Sequence, residues 1–332
     1  MHYSLCLSFM NDLADFQESE LVTPPGFKSG FVAIVGKPNV GKSTLLNALL
    51  GQKISIVSSK PQTTRDRILG ILTSVTAQII FIDTPGIHTP KNPLGEYMVT
   101  TATGAIGEGD VIVFTVDLSE WPDDNDRKIA QALSAVRDRP IILALNKMDH
   151  LLPPDELKRH VEAYWSLAPT LAGQEPPAPW EWLMLSATRG DNRQELLEKI
   201  LAYLPEGPLY YPEEQITDKQ EREVVAELIR EQVLLHLRQE VPHSVAVIVE
   251  QYDERKNGDV HIGATIYVER DSQKGIIIGS GGHMLKQIGA DARHSIQRML
   301  DCNIYLELWV KVRKNWRENE RDIRRMGYRS DE

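Results

Sequence analysis

Apolar residues recur along the 332-residue chain in short runs of strand length, most of them followed by a stretch with helical spacing, up to about residue 204. Phe31–Val35, Ile68–Leu72, Ala77–Ile82, Val111–Asp117, Ile141–Leu145 and Trp182–Leu185 read as buried strands, and Ile54–Val57 as a further short one. Residues 44–50, 94–106, 123–137, 155–168 and 193–204 read as helices between or after them. Such an alternation predicts a doubly wound α/β domain with a mostly parallel sheet. The segment PEGPLYYPEEQIT, residues 205–217, carries three prolines and a glycine and predicts a linker. Beyond it the pattern changes to a charged amphipathic helix, Asp218–Gln239, and two alternating strands, Ser244–Gln251 and His261–Glu269, with Asn257-Gly258-Asp259 as a hairpin turn. An apolar run at 274–278 then leads through GSGG into a helix with Leu285, Ile288, Ala292, Ile296 and Met299 on one face, and Asn303–Val312 alternates as a last strand. The expected organisation is a loose extension at 1–28, a first domain at 29–204, a linker at 205–217, an α+β domain at 218–314, and a tail at 315–332 read as a solvated mixed-charge helix.

Composition narrows the class. A chain of this length holds about two domains, each with its own core. A formal net charge of −10 argues against indiscriminate nucleic-acid binding by the whole surface and leaves room for a local basic patch. Cys6 and Cys302 are too few for a disulfide framework or a zinc site, which points to a reducing, cytoplasmic setting. No apolar run reaches the ~18 residues of a membrane span. The first residues lack a basic start and a cleavage site, so they do not read as a signal peptide, and Met10 is an alternative start.

Candidate chemistry sits at strand ends. Residues 36–43, GKPNVGKS, form a phosphate-loop pattern between a strand and a helix. Its residues (Gly36, Lys37, Pro38, Asn39, Val40, Gly41, Lys42, Ser43, with Thr44 following) are expected to wrap a phosphate in backbone N–H groups at a helix N-terminus. Lys42 is expected to reach the β/γ-phosphates and Ser43 to ligate Mg²⁺. DTPG follows another strand, placing Asp83 for Mg²⁺ through water and the Gly86 N–H for the γ-phosphate. Asn146-Lys147-Met148-Asp149 ends a third strand. There the Asp149 carboxylate accepts both guanine N1–H and the exocyclic amine, Asn146 faces N7, and the Lys147 stem covers the base. Adenine offers no such donors, so it leaves the carboxylate unpaired, at about 1–3 kcal/mol. Ser186-Ala187 ends a fourth strand, with the Ala187 N–H directed at guanine O6.

In the second half, Gly279-Ser280-Gly281-Gly282 is a G-x-x-G loop between two helices, a device that clamps a single-stranded nucleic-acid backbone. Lys274–Arg317 holds eight Lys/Arg against three acids, the local footprint of RNA binding. Trp309, Lys311 and Arg313 share one face of the last strand, where they either stack on RNA or pack against the tail and Trp316.

The run of motifs GKPNVGKS, QTTRDR, DTPGI, NKMD and LSA resembles the translation-factor-related GTPases and, in detail, the Era-type GTPases. The second half resembles a type II KH domain. The resemblance covers residues ~30–330; the first ~28 residues and GQEPPAPW at 173–180 lie outside it. It implies a slow GTPase using GTP/GDP and Mg²⁺, with Lys42, Thr64, Gly86 and Asn39 as its catalytic set. Thr64, with Thr63 as the alternative, is the implied switch ligand of Mg²⁺. Ile87 stands where Ras-like proteins carry a water-orienting glutamine. Asn39 matches the asparagine through which related GTPases hold an activating K⁺. Arg65 and Arg67 read either as fingers in cis or as solvated switch charges, with the solvated reading preferred. Lys274 and Lys286 are expected to supply phosphate charge, since Ser280 and Gly281 stand where many such loops carry Lys or Arg. Implied partners are small-subunit ribosomal RNA near its 3′ end and the 30S subunit, for a monomer in the cytoplasm with peripheral membrane association. No lipid-binding element is visible in the sequence. The alternatives are an RNA-binding scaffold with a vestigial nucleotide site and a small-molecule P-loop kinase.

Overall fold

The computed structural model describes residues 23–58, 60, 62–168, 180–237 and 244–328. Most of the extension expected at 1–28, and GQEPPAPW except its final Trp180, lie outside the described residues.

The first domain is a six-stranded sheet in the order β2-β3-β1-β4-β5-β6: β1 (Lys28–Val35), β2 (Ile68–Thr73), β3 (Ala77–Asp83), β4 (Val111–Asp117), β5 (Ile141–Asn146) and β6 (Trp180–Met184). Every neighbouring pair is parallel except β2–β3. Helices α1 (Lys42–Leu50), α2 (Pro93–Glu108), α3 (Asp124–Ser134), α4 (Pro154–Trp165) and α5 (Arg193–Tyr203) complete it. β3, β4 and β5 are buried at every residue. This explains their unbroken apolar runs, since a central parallel strand is covered on both faces. α3 begins at Asp124 because Asp123 and Asp126 form a reciprocal capping box.

The second domain has helix α6 (Glu221–His236), strands β7 (Ala246–Glu254), β8 (Val260–Val268) and β9 (Ile304–Val312), and helices α7 (Asp271–Ile278) and α8 (His283–Leu300). β7 and β8 are antiparallel, and β9 lies parallel to β8. The core joins Val225 and Ile229 of α6 with Ile288, Ala292 and Ile296 of α8 and the inward residues of β8. α6 starts at Glu221 rather than Asp218 because the Asp218 carboxylate accepts a hydrogen bond from Leu69 N at 3.0 Å, while Gln220 and Glu223 cap the helix.

Two expectations are corrected. Ile54–Val57 is no strand: Asn47 Oδ1 accepts from Ile54 N and Ser55 N at 3.0 Å each, and Asn47 Nδ2 donates to Ser55 O at 2.7 Å. One side chain thus satisfies backbone groups that a sheet would otherwise pair. The tail is no solvated helix either. Helix α9 (Glu320–Arg325) and its flanks bury Trp316, Ile323, Met326 and Tyr328 against Leu94 and Met98 of α2 and Ala246 of β7. The Trp316 Nε1 donates to Ser244 O at 2.8 Å. Residues following the second domain therefore wedge between both domains. The linker is fastened too, with Gln78 Oε1 accepting from Tyr210 N at 2.8 Å and Tyr211 N at 3.0 Å.

Candidate nucleotide site and RNA loop

A cleft of ≈ 290 Å³ opens beyond the carboxyl ends of the sheet, lined by the phosphate loop, residues 56–58 and 62–64, Gly86, Asn146-Lys147, Asp149-His150 and Ala187-Thr188. At its phosphate end, Lys42 Nζ donates to Gly36 O at 3.1 Å and Lys37 O at 3.0 Å. Burial pushes the Lys42 ammonium down to about 8, against the opposing pull of Asp83. Gly86 lies so close that a Cβ there would meet Pro38 N at 2.5 Å, which explains the glycine. Ile87 N donates to Gly36 O at 3.1 Å, fastening the DTPG turn to the phosphate loop.

Lys37 differs from the other loop residues. Its ammonium leaves the cleft for Asp126 at 2.9 Å and Asp123 at 3.1 Å. Burial works against this charge, but Asp126 and Asp123 outweigh it and hold the pKa above its ordinary value. Only the Lys37 backbone is left to face a nucleotide.

The cation end is assembled from three elements. Ser43 Oγ donates to Asp83 Oδ2 at 2.6 Å and lies 2.8 Å from Thr64 Oγ1. Ser55 Oγ, which no motif marked, donates to Asp83 Oδ2 at 2.9 Å. Asp83 Oδ1 is buried without a hydrogen-bond partner among the described residues. Burial raises the Asp83 pKa, opposed by Ser43 and Lys42. Two hydroxyls and a buried carboxylate with an open oxygen are a hard oxygen set that fits Mg²⁺. The Thr63 hydroxyl is elsewhere, donating to Lys60 O at 2.7 Å.

At the base end, Asn146 is a strut. Its Nδ2 donates to Val40 O at 2.7 Å and its Oδ1 accepts from Ala187 N at 2.9 Å. The Ala187 N–H expected at guanine O6 is thus directed at Asn146. Lys147, at φ 67, forms an ion pair with Asp117. Asp149 Oδ1 is buried without a hydrogen-bond partner among the described residues, and the Ser186 hydroxyl, with Thr188, holds its carboxyl below the usual range. That leaves an ionised acceptor at the position expected to read guanine.

Of the two switch arginines, Arg65 is not solvated, a correction to the sequence reading, whereas Arg67 stays partly exposed at the surface. Arg65 is buried, donating to Val245 O at 2.6 Å and Tyr328 Oη at 3.3 Å, with its guanidinium 5.7 Å from the Trp316 ring centroid. Arg67 pairs with Glu108 at 2.7 Å.

In the second domain Gly279, with Ser280 to Gly282 as a short 3₁₀ turn, links α7 to α8, and Gly281 and Gly282 take φ of 58° and 79°. Ser280, Gly281 and Lys286 are exposed, while Lys274 is half-buried. Part of the basic surplus is committed to partners within the chain: Arg313 pairs with Asp322 at 2.7 Å and Arg317 with Glu269 at 2.6 Å. Lys311 meets Glu250 at 3.6 Å, while Lys274, Lys286, Arg293, Arg298 and Lys314 form no ion pair among the described residues and carry the remaining charge. Trp309 is half-exposed on β9, separate from the buried Trp316.

The family described as 50S ribosome-binding GTPase matches residues 31–147, and the KH domain family matches residues 240–317. GTPase Era of Heliobacterium modesticaldum is 48% identical over 302 residues, covering 91% of this chain and 97% of its own length. The chain belongs to the Era family of GTPases. The Era protein of Ruminiclostridium cellulolyticum is 47% identical over 305 residues, covering 92% of this chain and 99% of its own length. A crystal structure of Era in complex with MgGDPNP and nucleotides 1506–1542 of 16S ribosomal RNA matches with a TM-score of 0.83 and 41% identity, covering 91% of this chain and 99% of that one. Family membership thus takes in both domains, with the P-loop GTPase domain followed by a KH domain.

Proposed function

We propose that this Era-family GTPase is a switch that binds Mg²⁺-GTP in the cleft, holds small-subunit ribosomal RNA near its 3′ end on the GSGG loop, and releases it on hydrolysis during 30S assembly. One observation supports the coupling: Val57 and Thr63–Asp66 stand between the cation site and the KH domain. Thr64 stands beside Ser43, while its neighbours bond to the second half. Arg65 donates to Val245 O at 2.6 Å, Glu231 Oε1 accepts from Val57 N at 2.8 Å, and Lys219 meets Asp66 at 2.8 Å. The buried Arg230 of α6 donates to Thr63 O. A shift of Thr64 on loss of the γ-phosphate therefore pulls on the KH domain directly.

In this reading Ser43 and Thr64 ligate Mg²⁺ and Asp83 holds it through water. When bound, the ion neutralises charge on the β- and γ-phosphates. Lys42 adds charge at the same oxygens, the Gly86 N–H meets the γ-phosphate, and Asp149 selects guanine. Asn39, at φ 66, is assigned to an activating K⁺ beside the phosphates. Lys274 and Lys286 supply charge to the RNA backbone around Gly279–Gly282. One copy of the chain holds both halves of the switch, so the proposed unit is a monomer. No helix among the described residues is long and apolar enough to cross a membrane, and the proposal assigns no membrane-binding element. The test is RNA affinity measured with a GTP analogue and with GDP. Tighter binding with the analogue is expected; equal affinities would remove the coupling.

A further inference from the structure

Hydrolysis needs an oriented water, and the residue at the expected position does not provide for it. The Ile87 side chain packs against the apolar cluster of Val35 and Phe114. Arg65 and Arg67 are both engaged away from the cleft. Gln62, by contrast, lines the cleft together with Asn39, Lys42, Thr64 and Gly86. Its backbone stands at φ 61, a left-handed conformation that a glutamine adopts only when its surroundings hold it there.

The holding contact is His88. Gln62 Nε2 lies 3.0 Å from His88 Nε2, and His88 Nδ1 lies 2.7 Å from Gly86 O. An amide nitrogen only donates and a carbonyl oxygen only accepts. His88 must therefore accept at Nε2 and carry its proton on Nδ1, and the two bonds fix one tautomer between them. The same pair fixes the amide: its N–H₂ end points to His88, which leaves Oε1 as the end that accepts. Gln62 Oε1 has no protein partner among the described residues.

We propose that Gln62 is the catalytic residue that orients the attacking water, and that His88 is a positioning residue acting through it. This rests on reading the cleft as the site of GTP hydrolysis. Gln62 Oε1 accepts a hydrogen bond from the water, directing the water oxygen at the γ-phosphorus. As that P–O bond forms, the bond from the γ-phosphorus to the bridging oxygen breaks, and its electron pair stays on GDP. The water's proton passes to a γ-phosphate oxygen, giving GDP and phosphate. Because His88 holds the carbonyl of Gly86, the glycine whose N–H is assigned to the γ-phosphate, water and phosphate are aligned from one turn.

The test compares the full-length chain with Gln62→Gly, His88→Ala and the double variant. Glycine takes the left-handed backbone without strain, so Gln62→Gly removes the amide and keeps the loop. Single-turnover hydrolysis is expected to fall about tenfold or more, with GTP-analogue and GDP affinities unchanged. Affinity for GDP with aluminium fluoride, a mimic of the transferring phosphoryl group, falls by a similar factor. His88→Ala slows turnover with binding unchanged, and adds nothing to Gln62→Gly in the double variant. Wild-type turnover in Gln62→Gly overturns the assignment, and multiplied effects in the double variant overturn the role of His88. An intact chain that binds GTP and never hydrolyses it overturns the reading of the cleft as well.

Discussion

Replacing Arg65 by Met should uncouple the two halves of the molecule. The side chain is buried, gives a charged hydrogen bond to Val245 O at 2.6 Å and a second to Tyr328 Oη at 3.3 Å, and lies 5.7 Å and 5.9 Å from the centroids of Trp316 and Tyr328. A hydrogen bond from a charged donor contributes about 1.5–3 kcal/mol. Each ring contact adds about 0.5–1 kcal/mol. Against this, methionine fills much of the volume and avoids burying a cation, whose pKa burial already lowers. The net loss is about 2 kcal/mol, within the usual range of coupling energies. It corresponds to roughly a 30-fold change in an equilibrium ratio. The assay is anisotropy of a labelled single-stranded RNA ending in the small-subunit 3′ sequence, titrated with GTP analogue or GDP present. The ratio of the two affinities should shrink by roughly 30-fold, or to unity if it began smaller. Thermal unfolding and GDP binding confirm that the variant is folded. A folded Arg65→Met protein with the wild-type ratio would refute this route of coupling.

Other substitutions probe the cleft. Asp149→Asn removes the acceptor for guanine N1–H and the exocyclic amine, so GTP affinity should fall by at least about tenfold while preference over ATP collapses, as competition binding would show. Gly86→Ala drives a Cβ to 2.5 Å from Pro38 N, so GTP affinity should drop more than GDP affinity; equal losses would place the damage in the phosphate loop instead. Lys42, lowered from 10.5 to about 8, gives a pH signature. Between those values the unfolded chain holds a proton that the nucleotide-free folded state has lost, so this group makes stability rise with pH, by up to about 1.4 kcal/mol per pH unit. Nucleotide affinity moves the opposite way, falling above about 8 as the amine loses its charge, and Lys42→Met should abolish both trends in denaturation and titration curves. Asn39→Ala should erase the difference between hydrolysis in KCl and in NaCl; a difference that survives would move the K⁺ site elsewhere.

The nucleotide cleft was legible because its parts are contiguous in sequence. GKPNVGKS, DTPG and NKMD each follow an apolar run, and a parallel sheet brings those strand ends together. The KH order was legible for the same reason, its alternating strands marking one face. What escaped were contacts between residues far apart. Arg65 meets Val245 and Tyr328 across the domain boundary, and nothing in QTTRDR hints at burial. The tail read as solvated because its charges are dense, whereas its four buried side chains, Trp316, Ile323, Met326 and Tyr328, cover two domains at once rather than one helix face. Ile54–Val57 has strand propensity and is overruled by Asn47. Lys37 lies inside a motif whose residues were all expected to face phosphate, and only the acids of the α3 N-terminus turn it away.

The wedge formed by Trp316 to Tyr328 also bears on the order in which the protein is made. Domains fold in sequence as they leave the ribosome, the N-terminal one first. Trp316, which holds Ser244 O, and Tyr328, which completes the aromatic stack over Arg65, both follow the last strand of the KH domain in the chain. Each domain can therefore close its own core while the residues that wedge between them from the tail are still being added. Until those residues emerge, Arg65 can already reach Val245 O, and Glu231, Arg230 and Lys219 can meet Val57, Thr63 and Asp66, but the aromatic stack over Arg65 is missing. The aromatic clamp on Arg65 is thus the last part of the coupling to be added, after both of the domains that it joins.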